Sequence, residues 1–363
     1  MKVLFLVNGS EHGAAANRAR AFAERLPKNW GLRIAYRPAR KWKGIVPFFQ
    51  LALNHRPQIV YVMDVAYTGV IAGCLAKRLI GCRLVTDTGD AAYALAKSTG
   101  NYSRAQLALI RETERMALKW SNAVIVRGSY HKELLEEGGV PRVEFVPDGV
   151  SLEADEPVNA SNLRAELGLA CGLVMGLVGT MAWSTKHRMC YGWDVIEALG
   201  RLKDAPVKAL LIGDGNGRNV LEARARELGV KDRVVFTGTL PFAALPPYLS
   251  AMDVCVSTQS NDLVGKVRTT GKLPLYLAYG KYVIATNVGE ASRVLPGVGC
   301  LLPYEGVRDD KHPRRLAEQV RRLIAEPALL CHCEQARQVA AKNFEYGMLA
   351  RRIEALCREI APA

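Results

Sequence analysis

The sequence predicts an α/β fold with two doubly wound domains, each built on a parallel sheet. Apolar strand-like runs alternate with amphipathic helix-like runs along the chain, which is the pattern of βα units. The alternation restarts near residue 160, and 363 residues are enough for two domains that each bury a core. Ligands of such sheets bind beyond the carboxyl ends of the strands, so we expect a site in a crevice between the domains.

The first half contains five predicted strands and four predicted helices. Each strand is a short and nearly continuous apolar run, as expected for a parallel sheet covered on both faces. Each helix has apolar residues at spacings of three and four. The strands are VLFLVNG, IVYVMD, RLVTDTGD, AVIVRGS and VEFVPDG, and the helices are residues 17–26, GVIAGCLAKRL, residues 103–120 and HKELLEEGG.

The second half repeats this pattern. Its predicted strands are GLVMGLVGTM, VKALLIGDG, RVVFTG, DVCVST and YVIATN, and its predicted helices lie in VNASNLRAELGL, WDVIEALGRL, VLEARARELG, KLPLYLAYG, residues 313–325 and residues 332–360. We place an N-terminal domain at residues 1–155 and a C-terminal domain at residues 156–335. Residues 336–363 should form a C-terminal helix that packs back on the N-terminal domain.

The composition excludes several classes of protein. The chain is 49% hydrophobic and 23% charged, which is typical of a globular protein and not of a disordered one. No apolar run approaches the roughly 18 residues that span a bilayer. Nine scattered cysteines favour reduced thiols over a disulfide framework. We therefore expect a cytoplasmic protein.

The net charge of +14 is concentrated in the first half, where residues 1–150 hold 22 basic and 12 acidic side chains. Residues 25–56 contain no Asp or Glu, and they interleave cations with Trp30, Trp42, Phe48 and Phe49. This mixture is typical of a surface that docks peripherally on an anionic membrane. An ordinary solvated basic face is the alternative. No nucleic-acid partner is expected, because no zinc-finger, helix-turn-helix or single-strand-binding signature is present.

Several segments in order carry a family resemblance. They are VEFVPDGVSLE, LRAELGL with LVMGLVGTM, ALLIGDGNGRNVLEARARELGVKDRVVFTGTL, LPPYLSAMDVCVST and LAYGKYVIATNVGE, with LVTDTGD and ERMALKWSNAVIVRGS in the first half. The chain resembles the retaining GT-B glycosyltransferases of the sucrose synthase-like and lipopolysaccharide-type family. That resemblance implies two Rossmann-like domains that face each other across a cleft.

The resemblance also implies a mechanism. A nucleotide-sugar donor would bind mainly to the C-terminal domain as a co-substrate, with no cofactor and no metal ion. The acceptor would bind mainly to the N-terminal domain. LVTDTGD resembles a strand end found in a subgroup that acts on lipid-linked sugars, so a glycan or lipid-linked acceptor is expected.

The segment VGKVRTTGKLPLYLAYG is the predicted diphosphate site. Sugar transfer leaves negative charge on the departing oxygen, which cations and free backbone N–H groups can stabilise. Lys266, Arg268 and Lys272 supply the cations, and Thr269 and Thr270 lie at the start of a short helix. An ordinary basic loop is the alternative.

The sequence departs from the family pattern in two places. Family members carry an Arg and a Lys after the first strand of the donor domain, where this chain has Thr180 and Tyr191; Lys186 or Arg188 could substitute. Two family glutamates correspond to Val267 and Leu275, whose side chains cannot accept hydrogen bonds. Either the donor is recognised differently, or transferase activity has been lost.

The remaining candidate residues lie in loops that follow strands. Gly213 allows close backbone approach, Leu240 lies in the loop expected to contact the base, and Glu290 is a donor-site candidate. His12 and Gly13 lie in the loop expected to face the acceptor and the donor phosphates. Asp90 could orient or deprotonate an acceptor hydroxyl, and Asp87 could bind the acceptor; helix capping is the alternative for both.

The sequence thus predicts a cytoplasmic, membrane-associating, metal-independent retaining glycosyltransferase of cell-envelope glycan or glycolipid synthesis. Two alternatives remain. One is a soluble transferase acting on a small-molecule or natural-product acceptor. The other is a catalytically degenerate sugar-nucleotide-binding or assembly partner.

A thermal-shift screen with UDP, GDP, CDP, dTDP and ADP tests the donor assignment. We expect at least one of them to raise the melting temperature, because a ligand present at 100 times its Kd stabilises the folded state by about 2.7 kcal/mol. An unchanged melting temperature with all five would contradict a nucleotide-sugar site.

Overall fold

The structure is a computed structural model that describes residues 1–152 and 158–361. It divides into two compact units. The N-terminal unit contains residues 1–149, residues 266–269 and the described chain from residue 345 onward. The C-terminal unit contains the described part of residues 150–265 and residues 270–344. The boundary predicted between residues 155 and 156 lies outside the described residues.

A six-stranded parallel sheet forms the centre of the N-terminal unit. Its strand order is β2-β1-β3-β4-β5-β6, so the chain changes direction across the sheet between β1 and β3. Both of these strands are apolar and β3 is completely buried. The strands are Lys2–Val7 (β1), Gly31–Tyr36 (β2), Ile59–Met63 (β3), Arg83–Thr88 (β4), Ala123–Val126 (β5) and Val143–Phe145 (β6).

Seven α-helices belong to the described part of this unit. The longest, α5, begins with a capping box in which Ser103 and Gln106 satisfy each other's backbone N–H groups. The helices are Ala14–Arg25 (α1), Ile45–His55 (α2), Tyr67–Ile80 (α3), Ala92–Thr99 (α4), Arg104–Trp120 (α5), Ser129–Glu137 (α6) and Tyr346–Ile360 (α16). Helix α16 packs with α1 over the β1–β3 face, where Leu349 and Ile353 join the core.

The C-terminal unit repeats the architecture with a second six-stranded parallel sheet of order β12-β11-β10-β7-β8-β9. Its strand order reverses between β7 and β10. The strands are Leu173–Val178 (β7), Val207–Ile212 (β8), Val234–Gly238 (β9), Val254–Ser257 (β10), Tyr282–Thr286 (β11) and Gly299–Leu302 (β12).

Helices cover both faces of this second sheet, with one core on each face. Helix α11 crosses the division between the units, since its last residue, Lys266, belongs to the N-terminal unit. The helices are Ser161–Glu166 (α7), Trp193–Gly200 (α8), Arg218–Glu227 (α9), Leu245–Ser250 (α10), Leu263–Lys266 (α11), Lys272–Ala278 (α12), Ala291–Val294 (α13), His312–Ala325 (α14) and Cys333–Phe344 (α15).

The predicted fold class is confirmed, with differences in single elements. Strands β2 and β12 and helices α2, α4, α11 and α13 were not predicted. No residue of β2 is fully buried, so this strand lacks the continuous apolar run of the others. The helix predicted over residues 332–360 is two helices. Glu345 interrupts it in an extended conformation and accepts a hydrogen bond from the Met348 N–H, which caps α16.

No helix within the described residues is long and apolar enough to cross a membrane.

Candidate functional site

Polar residues follow the two strands between which the order of the N-terminal sheet reverses. Asn8 follows β1 and Asp64 follows β3. The Asn8 Nδ2 donates to the Asp64 carbonyl at 2.5 Å, and the Asn8 Oδ1 accepts from the Gly69 N–H at 2.9 Å. A β-carbon at Gly69 would lie only 2.7 Å from the Asn8 side chain. This position, where the carboxyl ends of neighbouring strands diverge, is the usual binding crevice of a doubly wound sheet.

The Asp87 carboxylate, at the end of β4, is the centre of a buried polar network. It is fully buried. One oxygen accepts from Arg18 Nε at 2.9 Å and from the Tyr61 hydroxyl at 2.8 Å, and the other accepts from Arg127 Nε at 3.0 Å. Asp148 lies 3.6 Å from Arg18 and 3.7 Å from Arg127. Asp87 therefore has no surface open to an acceptor, and its contacts argue against the acceptor-binding role predicted for it.

The charges of this network set its protonation. Burial raises the pKa of Asp87, but Arg18 and Arg127 outweigh that effect and hold it below the usual value. Burial opposes the charge of Arg127, but Asp87, Asp64 and Asp148 raise its pKa well above the ordinary value. Asp87, Arg18 and Arg127 are thus charged, and each arginine has the Asp87 carboxylate within hydrogen-bond distance. Burial raises the pKa of Asp148 and, together with Asp87, that of Tyr61.

Four predicted site residues make contacts within the N-terminal unit near the end of this network. Arg268 donates a hydrogen bond to Oδ1 of Asp90, and the Thr269 hydroxyl donates to the Arg127 carbonyl. The Lys266 ammonium lies 6.0 Å from the centre of the Tyr130 ring. Asp90 and the first part of the predicted diphosphate segment are therefore brought together.

His12 and Gly13 immediately precede α1, at the carboxyl edge of the same sheet. His12 is exposed, and Gly13 is the N-cap residue. The backbone at Gly13 has φ −84°, and a β-carbon there would be 3.4 Å from its nearest neighbour. The fold therefore does not require glycine at this position.

The C-terminal unit brings two other predicted residues together around Gly179, which follows β7. Gly213 has φ 130°, and a β-carbon there would lie 2.0 Å from the Gly179 carbonyl oxygen, so only glycine fits. Lys272 is 9% exposed, and its ammonium lies 3.5 Å from the centre of the Tyr191 ring. A β-carbon at Gly179 would be 3.5 Å from that ring and 3.8 Å from the Lys272 ammonium. The Lys272 ammonium therefore makes a cation–π contact with Tyr191 beside Gly179.

The other predicted donor residues do not join this cluster by any described contact. Lys186 and Arg188 are exposed, and the Arg188 carbonyl accepts a hydrogen bond from Arg308 at 2.9 Å. Leu240 packs against the core on one face of the sheet. Glu290 is 4% exposed and precedes α13.

Thr270 is the first residue after Thr269 of the predicted diphosphate segment that belongs to the C-terminal unit. Its hydroxyl is buried, with no hydrogen-bond partner among the described residues.

The two positions that correspond to the family glutamates have structural roles. Val267 is fully buried, and a β-carbon at Gly128 would lie 2.2 Å from the Val267 carbonyl oxygen. Leu275 is 6% exposed and packs in the core.

The aromatic residues of the basic stretch separate into core and surface. Trp30 and Phe48 are buried and Phe49 is half-buried, whereas Trp42 is 66% exposed. Val46 and Leu53 of α2 are also exposed, and they lie seven residues apart and therefore on one side of the helix. Trp42 is therefore the only one of the four predicted aromatic residues that is exposed.

The described ranges contain no group of three His, Cys, Asp or Glu residues that could hold a metal ion.

A cavity of about 620 Å³ lies beside the Asp64–Asp90 edge of the N-terminal sheet. It is bounded by the turns that follow β3 and β4 and by helices α4 and α5. Asp64, Tyr67, Thr88 and Asp90 form its polar wall.

Sequence reasoning missed Arg18, Asp64 and Arg127. Asp64 and Arg127 each directly follow a buried strand, in IVYVMD and AVIVR. The rule that sites lie at the carboxyl ends of parallel strands could have identified both. Arg18 lies within α1, and its sequence neighbourhood gives no sign that it is buried.

Two sequence relatives share 29% identity with this chain. The 2-deoxystreptamine glucosyltransferase of Streptomyces kanamyceticus matches over 296 residues, which is 78% of this chain and 72% of that protein. The 2-deoxystreptamine N-acetyl-D-glucosaminyltransferase of Streptomyces fradiae matches over 227 residues, which is 58% of this chain and 51% of that protein. The second match thus spans about half of the relative.

The fold of the whole chain also has solved counterparts. Anabaena Alr3699/HepE, solved in complex with UDP and glucose, superposes with a TM-score of 0.79 at 18% identity. The superposition covers 99% of this chain and 100% of that one. The chain therefore has the GT-B fold.

A family model matches part of the C-terminal unit. Residues 172–326 match the family model for glycosyl transferases group 1. The chain thus carries a group 1 glycosyl transferase domain, which confirms the resemblance stated above.

We expect Asp87→Asn to destabilise the protein by about 3–5 kcal/mol, because it removes the buried carboxylate that neutralises Arg18 and Arg127. Urea unfolding at pH 7 measures this change. Glu359→Gln is the matched control: Glu359 pairs with Arg142 at the surface, where water screens the charges, so its effect should be far smaller.

The pH dependence has a defined sign. The folded-state pKa of Asp87 is lowered, so its stabilising effect is complete above the unfolded-state pKa of about 3.9. The effect is lost as the pH falls through the folded-state pKa. The difference between wild type and Asp87→Asn should shrink below about pH 4. Equal urea midpoints at pH 7 would contradict the structural role of Asp87.

Proposed function

We propose that the protein transfers a sugar from a nucleotide-sugar donor to a small hydroxyl-bearing acceptor. The support is the group 1 glycosyl transferase domain at residues 172–326, together with relatives whose names specify 2-deoxystreptamine as the acceptor. The single structural observation that carries the proposal is the buried Lys272 ammonium beside Gly179 and Gly213, at the carboxyl edge of the C-terminal sheet.

The proposed reaction exchanges one bond for another at the anomeric carbon of the donor sugar. The bond from this carbon to the diphosphate oxygen breaks, and a bond to the acceptor oxygen forms. The acceptor proton leaves with the nucleoside diphosphate, whose departing oxygen can take it. We propose retention of configuration, as the family resemblance implies.

In this proposal Lys272 stabilises the charge that develops on the diphosphate. An ammonium held in a largely water-free place acts more strongly on such a charge than one in bulk water. The Tyr191 ring holds the ammonium in position without neutralising it, because the attraction between cation and ring leaves the positive charge in place. In this proposal the Lys272 ammonium contacts the diphosphate and no metal ion takes part, as the family resemblance implies.

We expect Lys272→Met to lower transfer from the preferred nucleotide sugar by at least about 100-fold, the usual effect of removing one charge-stabilising donor. The thermal shift caused by the preferred nucleoside diphosphate should shrink in the same variant. Methionine has a similar length and suits a buried position, so the melting temperature without ligand should change little.

Lys231→Met is the matched control, because Lys231 is an exposed lysine of the same unit. It should leave transfer and nucleotide stabilisation unchanged. If Lys272→Met retains wild-type transfer, Lys272 does not serve the diphosphate. If no donor is turned over although nucleotides bind, the non-catalytic alternative is correct.

A lipid-linked acceptor at a membrane surface is the second candidate. The observation that favours it is the exposure of the apolar residues Trp42, Val46 and Leu53 and of the cations Arg40 and Lys43, which flank Trp42 in sequence. Exposed apolar side chains beside cations bind anionic bilayers through both insertion and charge.

Vesicle flotation tests this candidate. If it is correct, the protein floats with phosphatidylglycerol vesicles at low salt, and Trp42→Ser with Val46→Ser abolishes flotation. Phe242→Ser, which changes an exposed aromatic residue of the C-terminal unit, is the control and should float normally. A wild-type protein that stays at the bottom of the gradient excludes the membrane candidate and leaves the soluble acceptor.

A further inference from the structure

The cavity beside Asp64 and Asp90 is larger than a single sugar-sized ring requires. Its volume is about 620 Å³, and pockets of about 300–1,000 Å³ hold drug-sized ligands. All of its lining residues belong to the N-terminal unit. The chemistry of its walls therefore constrains the kind of molecule that fits.

One end of the cavity offers two carboxylate oxygens to a ligand. Arg127 donates to Oδ1 of Asp64 at 2.7 Å, and Arg268 donates to Oδ1 of Asp90. Throughout the described parts of the chain, no protein group donates to Oδ2 of either residue. Their side chains are 43% and 40% exposed, respectively. An ionised carboxylate is only an acceptor, so this end suits hydroxyl or ammonium groups.

Asp64 is held in an uncommon backbone conformation. Its φ of 63° lies in the left-handed region, which costs a non-glycine residue of order 1–3 kcal/mol. Three contacts keep it there: its N–H donates to the Asp87 carbonyl, its carbonyl accepts from Asn8, and its carboxylate accepts from Arg127. The fold therefore fixes the Asp64 carboxylate at the cavity wall.

Another wall, formed by α4 and α5, is largely apolar. Leu95, Ala96, Leu109 and Ile110 line it, together with the polar residues Thr99, Gln106 and Thr113. Leu109 is 47% exposed. A ligand that covers this wall removes apolar surface from water, which contributes about 25 cal/mol per Å². A purely polar ligand would not gain this free energy on the apolar part of the wall and would lose its own hydration there.

We propose that this cavity binds an amphiphilic acceptor with a polar head and a compact apolar body. Its hydroxyl or amino groups donate to Asp64 and Asp90, and its apolar ring or short side group lies on the wall that contains Leu95 and Leu109. Asp64 is a specificity-determining residue for the head, and Leu109 for the body. The identity of this ligand as an acceptor rests on the proposed function, whereas its binding does not.

Binding measurements without a donor test whether the cavity binds such a ligand, independently of whether the ligand is an acceptor. Isothermal titration of the full chain uses phenyl β-D-glucopyranoside and methyl β-D-glucopyranoside, which share a head and differ in the apolar group. We expect the phenyl compound to bind at least about tenfold more tightly, since small apolar groups in a pocket give factors of about 10–200.

The variants then assign each part. Asp64→Asn should weaken both compounds by a similar factor, because it changes contacts to the shared head. Leu109→Gln should weaken only the phenyl compound and bring the two affinities within about threefold of each other. Leu79→Gln is the matched control, because Leu79 is an exposed leucine of the same unit that does not line the cavity. Since Leu109 is half-exposed, its variant tests the proposal even if Asp64→Asn folds poorly.

Three results would overturn the proposal. They are no binding of either compound, equal binding of both by the wild type, and an unchanged preference in Leu109→Gln. Octyl β-D-glucopyranoside below its micellar concentration distinguishes a compact body from a lipid chain. Binding of the octyl compound alone would overturn the compact body.

Failure of the proposed function has a different signature. If the binding pattern appears but no nucleotide sugar is turned over, the cavity assignment stands and the transferase proposal fails. The opposite outcome is transfer to methyl and phenyl β-D-glucopyranoside with equal kcat/KM values that Leu109→Gln does not change. In that case the transferase proposal is supported and the proposal of an amphiphilic acceptor is wrong.

Discussion

The N-terminal unit depends on one buried carboxylate, that of Asp87. It connects Arg18 of α1, Tyr61 of β3 and Arg127 at the end of β5. Arg18 also donates to two backbone carbonyls just after β6. An isolated buried charge is costly, but a paired and hydrogen-bonded one is tolerated. The network therefore fixes the relative positions of several strand ends, and the groups around the cavity derive their geometry from it.

The network reaches functional groups through Arg127. Its guanidinium holds Asp64 at the cavity wall, and its carbonyl accepts a hydrogen bond from Thr269 in the predicted diphosphate segment. A single residue thus contacts both a proposed acceptor-binding residue and the segment that carries Arg268. In the C-terminal unit, the backbones of Gly213 and Gly179 lie in close contact at the edge of the sheet. Lys272 and Tyr191 contact each other at the same edge, beside Gly179.

Much of the fold could be predicted because buried parallel strands leave a local signal. Runs such as IVYVM are apolar throughout, and each became a strand. Strand β2 was missed because none of its residues is fully buried, as expected at the edge of the sheet where it lies. The helix expected over residues 332–360 was wrong only at Glu345, whose cap could not be distinguished by periodicity from the charged face of a longer helix.

The candidate site was less predictable. The sequence by itself determined the fold class, the family resemblance and the strand ends near which a site should lie, because apolar runs and glycine turns are local properties of the chain. Only the tertiary structure decided that Asp87 is buried between two arginines while Asp64 faces the cavity. Both follow apolar strands, and their different roles depend on residues between 26 and 69 positions away that only folding brings into contact.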